Sequence, residues 1–307
     1  MDRELFPTWT SDQTAAFGHE PVTWSHRLTD TGLFDDDALA RQLDRHPAEL
    51  FDINLFDYDE TDQATIRTGI KGRRSGRELL AAVKAGRVWI QMRRIQDHYP
   101  ELGRVMDRAF AELSERAPGF RPVQVSGQLI LSAPGASVPF HADPPGVVLF
   151  HLRGRKRIWI YPPDETHMPA RAMEQVLLRQ QSEELPYRRE MDAAARMFDL
   201  EPGMAVAWPL HAPHRIENRD SFNVSLSCDY QTWHSRMTNG AHYANGVFRR
   251  WGLPVAPAER IPMAARTALW GASLGLRRMG VVKDRIREFE RSFELGDPLD
   301  AGLADRP

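Results

Sequence analysis

Between residues 121 and 232 the chain is cut into short β-prone runs by proline- and glycine-bearing turns, and this rhythm restricts the fold more than any other feature. The runs cover 123–132, 147–152, 157–161, 204–208 and 223–230. Pro134-Gly135, Pro144-Pro145-Gly146, Pro162-Pro163 and Pro202-Gly203 stand between them. Evenly spaced strands of this length bury their inward faces by closing into a jelly roll or barrel. The expected class is therefore mainly β, with a double-stranded β-helix at residues 121–232.

The flanks have a different texture. Residues 1–120 read as an α/β extension packed on that core. It comprises a helix at 35–45, an alternating strand at 50–55, a strand at 88–92 and an amphipathic helix at 102–115. Leu102, Val105, Met106, Ala109, Phe110 and Leu113 share one face of the last. Ser75-Gly76-Arg77-Glu78 has the spacing of a capping box opening a helix over 78–84, which Gly86 ends. Residues 233–307 read as helical, with one stripe of Met263, Thr267, Trp270 and Leu274 and another of Val282, Ile286, Phe289 and Phe293. Two such stripes after a barrel need cover, which a homodimer through these helices would supply, as would folding back on the amino-terminal helices. A polar, helix-prone insertion at 171–198 is placed near the barrel entrance, where it would gate access.

Composition excludes several classes. The 40 basic and 42 acidic residues nearly cancel, which disfavours a nucleic-acid partner. Cys228 is the only cysteine, so neither an intramolecular disulfide nor a thiolate metal cage is available. No uncharged run approaches the roughly 18 residues of a membrane span, and the start Met1-Asp2-Arg3-Glu4 lacks the apolar core of a secretory signal. A cytoplasmic location is expected.

His141-Ala142-Asp143 carries the chemistry. In a strand, residues two apart share a face, so both side chains would address one ion. With 11 His and 42 acidic residues in 307, composition alone supplies roughly 1.5 such triplets; the motif gains weight from its context. His214, preferred over the nearby His211, follows the 204–208 run and would lie across the barrel mouth. Two imidazoles and a carboxylate, leaving open positions, form the facial set that holds non-haem Fe(II). In Gly154-Arg155-Lys156-Arg157-Ile158-Trp159-Ile160-Tyr161, alternation puts Lys156 inward with Ile158 and Ile160, where an ammonium group needs an anionic partner.

In this order and spacing, His141-Ala142-Asp143, the run 147–152, the segment 153–163 and the stretch 202–218 resemble the cupin-like Jumonji-C group of Fe(II)/2-oxoglutarate oxygenases. The resemblance covers roughly residues 120–232. It implies that His141, Asp143 and His214 bind iron, that Lys156 holds the distal carboxylate of 2-oxoglutarate, and that dioxygen is the oxidant. Val147 and Asp229 occupy places where relatives often carry amides, and Met204 one where an acid is common. Gln128, Ser225 and Ser227 are candidates for the missing polar contacts, with Gln128 and Ser227 assigned to the cosubstrate. His151 shares the inward parity of Val147 and is read as a core histidine. The implied activity is a hydroxylase acting on a protein or peptide side chain or a small metabolite. Other readings are a cupin metalloenzyme that does not use 2-oxoglutarate and a non-catalytic ligand-binding or regulatory protein.

Overall fold

A computed structural model describes residues 4–58, 64–86, 88–285, 291–294 and 304–305. Its strands are β1 (Val22–Ser25), β2 (Phe51–Tyr58), β3 (Ala64–Ile70), β4 (Trp89–Arg93), β5 (Gln124–Ser132), β6 (Ser137–His141), β7 (Gly146–Arg153), β8 (Lys156–Ile160), β9 (Arg196–Leu200), β10 (Met204–Ala207), β11 (His214–Asn218), β12 (Asn223–Gln231), β13 (Arg291–Glu294) and β14 (Ala304–Asp305). The α-helices are α1 (Ser11–Ala16), α2 (Asp36–Arg45), α3 (Gly76–Lys84), α4 (Ile95–His98), α5 (Pro100–Arg116), α6 (Ala170–Leu177), α7 (Trp233–Arg250) and α8 (Met263–Arg278).

Eight consecutive strands, β5 to β12, make the jelly roll expected from the sequence. One sheet contains β10-β7-β12-β5 and the facing sheet is β6-β11-β8-β9. Alternation along β7 serves two interiors. Val147 and Leu149 join Ile158, Ile160, Val206, Trp208 and Ile216 between the sheets. Val148, Phe150 and Leu152 face the opposite way, into a larger core built with Phe6, Trp24, Leu102, Met106 and Phe110. Each such side chain withdrawn from water contributes roughly 1.5–3 kcal/mol before chain entropy is counted. Because Val147 to Phe150 each have somewhere apolar to go, that stretch of β7 reads as a continuous hydrophobic run.

The amino-terminal segment is joined to this wall by backbone hydrogen bonds. Strand β1 extends it by pairing with β10, and β4 extends it by pairing with β5. The sheet thereby reaches ten strands, ending in β2, β3, β13 and β14. The capping box forms as the sequence predicts: Ser75 Oγ accepts from Glu78 N–H and the Glu78 carboxylate accepts from Ser75 N–H. Gly76 then allows α3 to lie on α2, since a Cβ there would sit 1.9 Å from the Ala40 carbonyl oxygen. Gly154 turns β7 into β8 at φ +81°, against the Phe222 carbonyl.

Several expectations change. Strands β6, β9 and β11 escape a hydrophobicity reading because none of these five-residue runs carries a sustained apolar alternation. His214 is consequently the first residue of a strand rather than part of a loop. The insertion at 171–198 contains α6 and the start of β9, and it is fastened at both ends. The Arg249 guanidinium binds the buried Glu174 carboxylate with two contacts of 2.9 and 3.0 Å. Asp192 accepts from Tyr161 Oη at 2.5 Å and from Arg215 at 2.8 Å. Phe140, Tyr161, Met173, Val176, Leu185 and Met191 pack beneath it, making it a wall.

The stripe of Val282, Ile286, Phe289 and Phe293 is not one helix face. Phe293 lies in β13, fully buried beside β3, while Val282 packs near Leu178, Tyr243 and Leu276. Ile286 and Phe289 lie outside the described residues. The other stripe is on a helix, α8, which packs along α7 and leaves Met263 and Leu274 exposed. Among the described residues no helix is long and apolar enough to cross a membrane.

Candidate metal centre

His141 ends β6 and His214 begins β11, and the antiparallel ladder sets them directly opposite one another. Cross-strand partners have side chains about 5 Å apart or less, and these two rings have centroids 4.2 Å apart. Asp143 follows two residues later. It does so in the turn Asp143-Pro144-Pro145-Gly146 and not in a strand, so turn geometry, rather than pleat alternation, aims its carboxylate back. His141 Nε2 lies 3.7 Å from one Asp143 oxygen and His214 Nε2 lies 3.4 Å from the other. One donor atom from each residue falls within 4.8 Å of the others.

The ring orientations suit coordination. His141 Nδ1 is 2.7 Å from the Pro139 carbonyl oxygen, and His214 Nδ1 is 3.2 Å from that of Ala212. A carbonyl can only accept, so each Nδ1 carries the proton and donates it, leaving both Nε2 lone pairs free. Burial pushes the His214 pKa well below its usual value, with the neighbouring His141 acting in the same sense. Burial also raises the Asp143 carboxyl, partly offset by His141. Trp208 shields the buried side, its ring centroid 4.3 Å from that of His214. The two nitrogens and the acid supply a divalent cation with matched donors and with charge that the protein itself leaves unbalanced.

Lys156 opens β8 on the inward face with Ile158 and Ile160, and is 4% exposed. It stands opposite Asn218, four residues along from the Ile160–His214 pair, which at 3.3 Å per residue is about 13 Å. Its ammonium group has no carboxylate or hydrogen-bond partner among the described residues. Burial lowers its pKa to about 7. His151 is fully buried nearby, with Nδ1 3.1 Å from Ser225 Oγ and Nε2 2.9 Å from the Gly154 carbonyl oxygen. Both nitrogens are thus committed, as a core histidine requires.

The parity of β12 turns Ser225, Ser227 and Asp229 to the jelly-roll interior, opposite His151, Leu149 and Val147 of β7. Ser227 is buried and pairs with Gln128 of β5. Gln128 accepts a hydrogen bond from Gln91 and also approaches Asp229. Burial raises Asp229 well above the usual carboxylate range, reinforced by the charges of Asp143 and Glu183. Cys228 faces the other core and is inert, its thiol pKa raised by burial.

Two neighbours of the site, Glu183 and Asn239, escape a sequence reading. Glu183 comes from the insertion, which adds itself to the edge of β6: Ala142 N–H donates to the Glu183 carbonyl and Leu185 N–H to that of Phe140. Glu183 is an exposed residue, yet its carboxyl pKa is raised by the protein around it and by the Asp143 charge. Asn239 of α7 donates from Nδ2 to the Pro144 carbonyl at 2.8 Å, while its Oδ1 lies 2.7 Å from His211 Nε2. An isolated acid or amide carries no spacing signal that would have singled it out, whereas His211 is the sequence alternative to His214. Of the aromatics near the mouth, Trp208 and Tyr161 are buried, Trp159 is half-buried under Arg215, and Trp233 is exposed.

No family model and no curated protein sequence matches this chain. Solved structures do. The X-ray structure of Escherichia coli ycfD aligns with a TM-score of 0.51 and 16% identity, covering 89% of this chain and 69% of that one. A crystal structure described as the Escherichia coli ribosomal oxygenase YcfD gives 0.48 at 16% identity, over 89% and 68%. A cupin superfamily protein from Desulfitobacterium hafniense aligns over 37% of this chain and 72% of its own at 15% identity, with a TM-score of 0.24. At such identities the likeness is one of fold, and it extends beyond the jelly roll to the flanking segments. The fold is the one that the Jumonji-C resemblance implied.

Proposed function

We propose that this protein is an Fe(II)- and 2-oxoglutarate-dependent oxygenase, with His141, Asp143 and His214 as the iron ligands. One observation carries the reading: two Nε2 lone pairs and a carboxylate converge at one end of a jelly roll that buries an unpaired ammonium further along the same strand pair. Bound iron would supply the activation of dioxygen that couples oxidative decarboxylation of 2-oxoglutarate to hydroxylation of a substrate C–H bond. The protein's own part is to bind, orient and exclude water. Lys156 holds the distal carboxylate of the cosubstrate; two unit charges 4 Å apart attract by about 4 kcal/mol at an effective dielectric of 20, before desolvation. Ile158, Ile160, Val147 and Leu149 keep the space between lysine and metal dry. Gln128 and Ser227 offer polar contacts beside the cosubstrate, where Val147 offers none. Trp208 and the carbonyls of Pro139 and Ala212 fix the two imidazoles.

The substrate class we propose is a protein or peptide side chain, supported by the description of the Escherichia coli neighbour as a ribosomal oxygenase. The His141–Asp143–His214 cluster lies beside the 183–185 edge that joins β6, and a substrate side chain approaching from outside would reach it there. A partially exposed apolar face on α7 and α8, including Trp233, Met263 and Leu274, supports self-association into a homodimer; a light-scattering mass of one chain would remove that element.

The test of the central reading is conversion of 2-oxoglutarate to succinate by iron-loaded protein. Asp143→Ala is expected to abolish it while retaining the fold by circular dichroism. Equal succinate release by wild type and variant would sink the assignment.

A further inference from the structure

We infer that Asn239 and His211 are positioning residues that make α7 a clamp on the metal centre; this rests on the iron-site reading above. The ligands stand on two separate connections. Asp143 is in the turn between β6 and β7, and His214 follows the turn Pro209–Pro213 between β10 and β11. The β6–β11 ladder sets His141 opposite His214, and the His211 ring also approaches the Pro144 backbone directly; α7 adds a third tie. Asn239 touches both, donating to the carbonyl of Pro144, immediately after Asp143, and pairing with the ring of His211, three residues before His214.

The backbone carries independent evidence of this grip. His211 has φ +63°, a left-handed conformation that a non-glycine residue keeps only when its surroundings hold it there. Its ring is buried and lies edge-on to that of His242, with centroids 5.3 Å apart. His242 Nε2 in turn lies 2.7 Å from the Glu259 carboxylate, beyond the end of α7. The anchoring chain therefore runs from the Asp143 turn through Asn239 to His211, whose ring packs on the His242–Glu259 pair. Helix α7 is itself held to the insertion by the Arg249–Glu174 pair.

His211, His242 and Glu259 also place one possible donor atom each within 4.8 Å of the others, the arrangement of a second metal site. The hydrogen-bonded reading is favoured because His242 Nε2 meets the Glu259 carboxylate at hydrogen-bond distance and His211 Nε2 is engaged by Asn239. In known metal sites, loss of a group that orients a ligand typically lowers metal affinity about 10- to 100-fold. The same loss is expected for Asn239→Ala.

The experiment titrates metal-free full-length protein with Co(II) alone and follows the cobalt absorption bands, so that turnover is not the readout. Asn245→Ala is the control. Asn245 is equally buried on α7 and donates to the Ala256 carbonyl at 2.8 Å, away from the ligands, so its loss weakens the helix without touching either turn. Expected are one Co(II) per wild-type chain, an affinity about 10- to 100-fold lower with altered bands in Asn239→Ala, and unchanged affinity in Asn245→Ala. Wild-type affinity in Asn239→Ala overturns the clamp, as does an equal loss in both variants. Two Co(II) per chain, the second abolished by His242→Ala, overturns the hydrogen-bonded reading of that cluster. Failure of the iron-site reading is separately visible, as cobalt binding that Asp143→Ala leaves intact.

Discussion

Lys156 brings an ammonium group where no side chain of the described protein answers it, and its pKa, lowered to about 7 by burial, measures the cost. The sign of the pH effect follows. Between pH 7 and the ordinary lysine value of 10.5, the unfolded chain holds a proton that the folded one has released. Stability from this group therefore rises with pH across that window, and below pH 7 its burial penalty is fully present. A hydrophobic replacement of similar length removes the penalty. Lys156→Met should raise the melting temperature at pH 6.5 and lose the further rise that 2-oxoglutarate gives metal-loaded wild type. A variant that melts lower, or still gains from the cosubstrate, would take Lys156 out of the pocket. This lysine was legible in the sequence because alternation from Lys156 to Ile160 fixes its direction. His141 and Asp143 were legible by spacing, although the turn rather than the strand delivers Asp143. Glu183 and Asn239 were not, since long-range packing alone brings them to the His141–Asp143–His214 cluster.

The elements most easily foreseen were those with local signals. Asp35 caps α2 by accepting from Ala38 N–H at 2.7 Å, the Ser75–Glu78 box opens α3, and the apolar face of α5 lies in the core. Strands β6, β9 and β11 were hidden because one face of each meets solvent and insertion rather than a hydrophobic layer. Phe293 shows the opposite failure: helical spacing with neighbours that happen to be apolar, on a residue that folds in a strand between β3 and β14. The insertion makes its own prediction. Glu174 is completely buried and Arg249 supplies both of its contacts. Arg249→Ala strands that carboxylate, and unfolding in urea should report a loss of about 3 kcal/mol, with α6 the first segment to lose amide protection. A change within 0.5 kcal/mol, roughly that of an ordinary surface substitution, would mean that the insertion is not held by this pair.

At the scale of the molecule, the change of sequence texture near residue 120 marks a boundary along the chain, while strands from both sides of it share one sheet. We retain the division into 1–120, 121–232 and 233–307 as a proposal about sequence segments and predict a single calorimetric endotherm for the first two. Two resolved transitions, with the jelly roll outlasting the extension, would separate them. The prediction rests on β7, β10 and β12, which present the space between the two sheets on one side and the aromatic packing of Phe6, Trp24 and Phe150 on the other. A partition with two furnished rooms has no outside on which to absorb change. A bulkier residue fitted to one room shifts the partition into the other, so mutations on its far side, at Val148 or Leu226, should be felt first as a poorer grip on the proposed oxo-diacid.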